Sequence, residues 1–166
     1  MPATKIIEHV RKDHCVPAVQ ADSREAVIME LADTFVASGA VTEEQRDRLL
    51  VSVVEREEAA TTGVGNGVAL PHPKTVEDVA QLGQVLIAVG LCPEGIDFRA
   101  TDGEPVYIVF LVASPSNLEY LEVAKRIAAL ARGGSQADKW RRVVRQAETP
   151  AAIREALEDA WEELAP

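Results

Sequence analysis

The sequence predicts an α/β fold, a single layered domain in which helices cover a small set of buried strands. The runs Gln84 to Leu91 and Val106 to Ala113 are apolar and β-branched at consecutive positions, as strands buried on both faces require. Apolar residues at helical spacing lie before and after those runs, so helices are available to cover them. With 166 residues, 47% of them apolar, and no repeat at a period of about 20 to 50 residues, one core and one domain spanning 1–166 is the expectation.

The first helix is expected after Asp22, which stands three residues before Glu25 at capping-box spacing. Val27, Ile28, Leu31, Phe35 and Val36 then recur at helical intervals until Gly39 offers a stop. Thr42 and Gln45 repeat the capping pattern ahead of Leu49, Leu50, Val53 and Val54, which puts Arg56 near a helix C-terminus. The segment Thr61 to Gly67 reads as a loop, because its glycines at 63, 65 and 67 free the backbone from regular geometry. Val68 to Leu70 resume an apolar, strand-like run that Pro71 interrupts, so His72 should emerge at a strand end.

Between the two buried runs, Pro93 to Gly95 and Asp102 to Gly103 are turn signals that leave Ile96, Asp97 and Phe98 as a short extended piece. Ser116 with Glu119 then caps a helix whose Leu121, Ala124, Ile127, Ala128 and Ala131 are expected to face inward, with Asn117 in its first turn. Trp140, Val143 and Val144 mark a short helix, and Thr149 with Pro150 opens a last one carrying Ile153, Leu157, Trp161 and Leu164. Strand order does not follow from spacing.

Composition narrows the function. The apolar runs fall short of the roughly 20 residues that span a bilayer, and no basic-then-apolar leader opens the chain, so a cytoplasmic protein without direct membrane insertion is expected. Cys15 and Cys92 lack the spacing of a disulfide, zinc or redox site and read as packing residues. A formal charge of -10 works against nucleic acid and favours a basic protein partner, although the acidic residues Glu155 to Glu163 alternate with apolar ones as on a solvated helix face.

Among the three histidines, only His72 follows a glycine-rich segment and an arginine; His9 and His14 have no such setting. A neutral imidazole at a strand end is a competent nucleophile, and phosphoryl is the natural electrophile for it. Arginine pairs bidentately with phosphate oxygens, and glycine-rich backbone turns N–H groups toward an anion. The glycines match neither the phosphate-loop nor the dinucleotide pattern, and no metal-ligand spacing surrounds His72, so neither nucleotide nor metal is implied. Residue types alone leave the question open. A lone histidine beside proline is more often structural, Arg56 could serve Glu55, Glu57 or a helix end, and Thr61 or Thr62 could close a turn.

Around these residues the chain resembles the fructose, mannitol and nitrogen-type IIA domains, the EIIA type-2 family, of the bacterial phosphoenolpyruvate-dependent sugar phosphotransferase system. The resemblance rests on Arg56 and Glu57, on TTGVGNGVALPH ending at His72, on GIDFRATDGEPVYIVFLVASP from Gly95 to Pro115, and on NLEYL from Asn117. With the flanking helices it covers nearly the whole chain. It implies a mixed central sheet of about five strands flanked by helices. It also implies that His72 accepts a phosphoryl group from an HPr-like carrier and passes it to a IIB component, with Arg56 clamping the phosphate, Thr62 supporting the pocket and no cofactor.

The chain departs from the family pattern at Asn117, where a second histidine is common. An amide carries no titratable proton, yet it can donate to a phosphate or orient His72, and its place at a helix N-terminus suits an anion. Pro73, where glycine or alanine is frequent, stiffens the segment after His72. The departure motivates an alternative, a regulatory module that binds a partner protein in a phosphorylation-dependent way without transferring the group.

Overall fold

The computed structural model describes residues 6–166. Its centre is the antiparallel pair β4 (Leu86–Ile96) and β5 (Val106–Ala113), flanked on one side by the parallel edge strand β1 (Val10–Val16) and on the other by a small hairpin, β2 (Gly63–Gly65) and β3 (Val68–Ala69). The order is β1-β4-β5-β3-β2, with β3 parallel to β5 and antiparallel to β2, so the sheet is mixed as expected.

Alternation along the central strands sorts the side chains into two layers. Ala88, Val109 and Leu111 face α1 (Arg24–Ala37) and α2 (Glu43–Ala59), while Val89, Phe110 and Val112 face α3 (Asn117–Ala131), α4 (Ser135–Arg145) and α5 (Pro150–Glu163). Fully burying each of the larger side chains among these, valine, leucine or phenylalanine, contributes about 1.5–3 kcal/mol, so the two layers supply the main stabilising term. Gly90 lets α1 approach the sheet, since a Cβ there would stand 2.9 Å from Leu31. Arg154 of α5 donates to the Val10 carbonyl at 2.8 Å, tying the last helix to the first strand.

Several boundaries differ from the expectation. The cap of α1 is Ser23, whose side chain accepts from Ala26, rather than Asp22 one residue earlier. Thr42 and Gln45 do form the reciprocal capping box of α2. Strand β1 has no apolar signature in the sequence, because Arg11, Lys12 and Asp13 break its pattern; it is an edge strand whose buried residues are Val10, His14 and Cys15. Likewise, Pro93 to Gly95 do not end the strand; they form an irregularity within β4, after which Ile96 pairs with Val106.

The glycine segment is a hairpin rather than a loop. Asn66 and Gly67 both adopt positive φ, 55° and 79°, as a tight strand-to-strand turn demands. Gly63 is required for a different reason: a Cβ would lie 2.8 Å from that of Ala100.

In α3 the buried residues are Val123, Ile127, Ala129, Leu130 and Ala131; of the expected inward stripe, Ala124, Ile127 and Ala131 face the core, whereas Leu121 and Ala128 point outward. That helix carries two apolar stripes, so periodicity alone does not say which one meets the sheet. Leu118 and Leu121 remain 78% and 51% exposed.

Candidate functional site

His72 lies just beyond β3, where pairing with β5 is running out. Val112 donates its N–H to the Pro71 carbonyl at 3.1 Å, a contact proline can make because it needs no donor of its own. The next residue leaves the sheet and lines a cavity of about 150 Å³ with Lys74, Thr75, Ser114, Asn117 and Tyr120, among others. The segment after it is held to α2, for Lys74 donates its N–H to Ser52 Oγ at 2.8 Å and Ser52 donates to Asp78 at 2.6 Å.

The imidazole is oriented from below. His72 Nδ1 lies 2.8 Å from the carbonyl oxygen of Leu70, and since a carbonyl only accepts, Nδ1 carries the proton and Nε2 the free lone pair. Nε2 has no hydrogen bond to a described residue. Leu70 is itself fixed, its N–H donating to the Thr62 carbonyl at 3.1 Å. Thr62 in turn gives both its N–H, at 3.1 Å, and its hydroxyl to the carboxylate of Glu57, which is 2% exposed. A chain of contacts thus runs from α2 through the hairpin to the ring.

Electrostatics favour a neutral ring. Burial pushes the His72 pKa below the ordinary imidazole value, the Leu70 contact pulls it upward, and the positive charge of Arg56 lowers it further. Arg56 stands in the last turn of α2 and donates to the Ala60 carbonyl at 2.6 Å, which uses one edge of the guanidinium on the helix terminus. Its charge also acts on Tyr120, whose phenol pKa is raised by burial and lowered by Arg56. A nucleophilic lone pair beside a cation and a helix N-terminus suits a reaction that brings negative charge to Nε2.

Of the residues expected at the site, His72 and Asn117 line one cavity and Arg56 acts on the same ring. Thr62 does not line it; its hydroxyl is committed to Glu57 and it reaches His72 through its own carbonyl and Leu70. Asn117 is the first residue of α3, after the Ser116 cap, and its exposed amide has no partner among the described residues. Sequence reasoning did not single out Tyr120, whose ring centroid lies 4.8 Å from that of His72 at 39°. Nor did it assign a role to Glu57; a carboxylate beside Arg56 reads as surface charge until the hairpin is seen to fold over it. Among the described residues, no group of three or more His, Cys, Asp or Glu is placed to hold a metal ion, and no helix is long and apolar enough to cross a membrane.

Residues 8–160 match the family model described as "Phosphoenolpyruvate-dependent sugar phosphotransferase system, EIIA 2". The chain is 33% identical over 144 residues to a nitrogen regulatory protein of Bradyrhizobium diazoefficiens, an alignment spanning 85% of this chain and 87% of the relative. It is 29% identical over 128 residues to the fructose-specific EIIABC component of Bacillus subtilis, covering 76% of this chain but only 19% of that much longer protein. The fold is similar to that in a solved complex of enzyme IIAMTL and phosphorylated enzyme IIBMTL from Escherichia coli, with a TM-score of 0.71, 18% identity and coverage of 89% of this chain and 95% of the matched one.

Proposed function

The chain belongs to the EIIA 2 family of the phosphoenolpyruvate-dependent sugar phosphotransferase system, and on that premise we propose that it is a phosphohistidine carrier that accepts its phosphoryl group on Nε2 of His72. The observation that carries the reading is the 2.8 Å contact from His72 Nδ1 to the Leu70 carbonyl, which fixes the tautomer and leaves Nε2 as the nucleophile.

In the proposed step, the Nε2 lone pair attacks the phosphorus of a phosphorylated HPr-like protein as the donor's N–P bond breaks. No nucleotide takes part, so the chemistry asks mainly for alignment and for charge stabilisation of the oxygens in flight. Arg56, whose charge reaches His72, supplies donors for them from the part of its guanidinium not bonded to Ala60, and the N-terminus of α3 presents the Asn117 amide to the cavity. Thr62 acts through Leu70 as an orienting residue. The phosphoryl group then passes to a IIB component, in keeping with the solved complex of that pair. The proposed place of action is the cytoplasm.

Incubation with phosphoenolpyruvate, the general first enzyme of the system and its cognate HPr-like protein should yield an acid-labile adduct that His72→Ala lacks. Absence of the adduct with cognate partners overturns the proposal.

Asn117 and the similarity to a nitrogen regulatory protein favour a second reading, a module that holds the phosphoryl group as a signal and does not pass it on. In that case partner capture depends on phosphorylation, but no label moves to any IIB component.

A further inference from the structure

We propose that Tyr120 is a positioning residue for His72 whose aromatic face stabilises the imidazole ring in its phosphorylated, cationic form. This inference rests on the carrier reading and assigns a role to a residue outside the expected set.

The charge follows from the hydrogen bonding. As the N–P bond forms at Nε2, the electron pair of the breaking bond returns to the donor's nitrogen, and the proton on Nδ1 stays in place because the Leu70 carbonyl holds it. The product ring bears a hydrogen on Nδ1 and a phosphoryl group on Nε2. The ring is therefore positive and the phosphoryl oxygens are negative.

The surroundings suit the oxygens better than the ring. The charged groups at the site are Arg56, whose field reaches both His72 and Tyr120, and Lys74 of the cavity wall. No carboxylate lines the cavity among the described residues. Both cations can match the phosphoryl group, and Arg56 opposes a positive ring. Relief comes from the Leu70 carbonyl at Nδ1 and from Tyr120, whose centroid lies 4.8 Å away, inside the roughly 6 Å over which an aromatic face attracts a cation.

Tyr120 is also held in place. It stands three residues after Asn117 on α3, hence on the same side of the helix, and packs against the buried cluster behind it. Its hydroxyl has no hydrogen bond to a described residue, so the contact with His72 belongs to the ring. A second histidine at position 117 would titrate in the same pocket and, once protonated, add a third cation. An aromatic ring at position 120 stabilises without that cost.

The test uses the full chain, phosphorylated enzymatically, with the Nδ1 proton of phosphorylated His72 titrated by nitrogen-15 NMR. Tyr120→Phe should titrate as the wild type does. Tyr120→Leu should lower the pKa of the phosphorylated ring by about half a pH unit and move the phosphoryl equilibrium roughly threefold toward the donor. Pentafluorophenylalanine at position 120 keeps the shape but reverses the charge of the face, and should lower that pKa at least as far as leucine does; it serves as the deciding variant if Tyr120→Leu fails to fold. A residue that merely packs would leave the titration unchanged, so a phosphorylated, folded pentafluoro variant with the wild-type pKa overturns the inference while leaving the carrier reading intact. Failure of the wild type to become phosphorylated overturns both.

Discussion

The buried carboxylate of Glu57 accepts two hydrogen bonds from Thr62, one from its N–H at 3.1 Å and one from its hydroxyl. Thr62 then holds Leu70, and Leu70 holds the imidazole of His72. Replacing Glu57 with alanine strands two buried donors, each costing about 1–3 kcal/mol. We expect Glu57→Ala to lower the melting temperature and to slow phosphorylation of His72 by on the order of tenfold through misalignment. In a double-mutant cycle with Thr62→Val the losses should be less than additive; full additivity would show that the two residues act separately.

Arg56 is expected to matter to the reacting phosphoryl group far more than to the fold. Charge-assisted contacts to phosphate are each worth about 1.5–3 kcal/mol, so Arg56→Ala should reduce the rate of phosphoryl acceptance by roughly ten- to hundredfold. Arg56→Lys should recover part of the loss, since it keeps the charge but not the fork. Stopped-flow measurement of label transfer, beside a melting curve that moves little, separates these effects.

The pH dependence follows from two depressed histidines. Burial lowers the pKa of His72 and also that of His14, which is fully buried with Nε2 2.8 Å from Ser38 Oγ and Nδ1 without a partner. Below the ordinary imidazole value of about 6.5 the unfolded chain binds protons that the folded chain refuses. Stability should therefore be full above that value and decline as pH falls from there toward the folded pKa values. His14→Phe should flatten the decline in denaturant titrations. The acid limb of phosphoryl acceptance should lie below pH 6.5, because burial keeps the His72 ring neutral to a lower pH than an ordinary imidazole. A rate profile with its acid limb at or above the ordinary value would contradict this.

Leu118 and Leu121 form an exposed apolar stripe beside the cavity, on the helix that carries Asn117 and Tyr120. If a protein donor docks over His72, this stripe is what it covers. Leu118→Asp and Leu121→Asp should raise the KM for the phosphorylated donor with little change in kcat or in melting temperature. A change in kcat alone would point instead to the chemistry of the site.

Asn117→His places a second imidazole in the cavity that His72 lines. It should raise the transfer rate to a IIB component if the amide limits onward transfer, and partner-exchange assays would report the gain. Unchanged transfer, with an unchanged pH profile, would show that Asn117 already meets the needs of the site.

Much of this was legible in the chain. The β-branched runs announced β4 and β5, the capping pattern at Thr42 and Gln45 announced α2, and the order arginine, glycine segment, histidine pointed to the candidate site. Strand β1 was hidden by its charges, because an edge strand exposes residues that a central strand buries. The inward stripe of α3 was legible at Ala124, Ile127 and Ala131 but not at Leu121 and Ala128, since Leu121 and Ile127 are both strongly apolar and only packing separates them.

By itself the sequence determined which chemical groups were present and which segments were helical or extended, because propensity, capping and periodicity act between near neighbours. The tertiary structure decided what those groups do. It spent the Thr62 hydroxyl on Glu57, set the His72 tautomer through Leu70 and laid Tyr120 against the ring. Hydrogen bonds and ring contacts depend on ångström-scale distances, and residues as far apart as 72 and 120 come within that range only when the sheet and α3 are packed together.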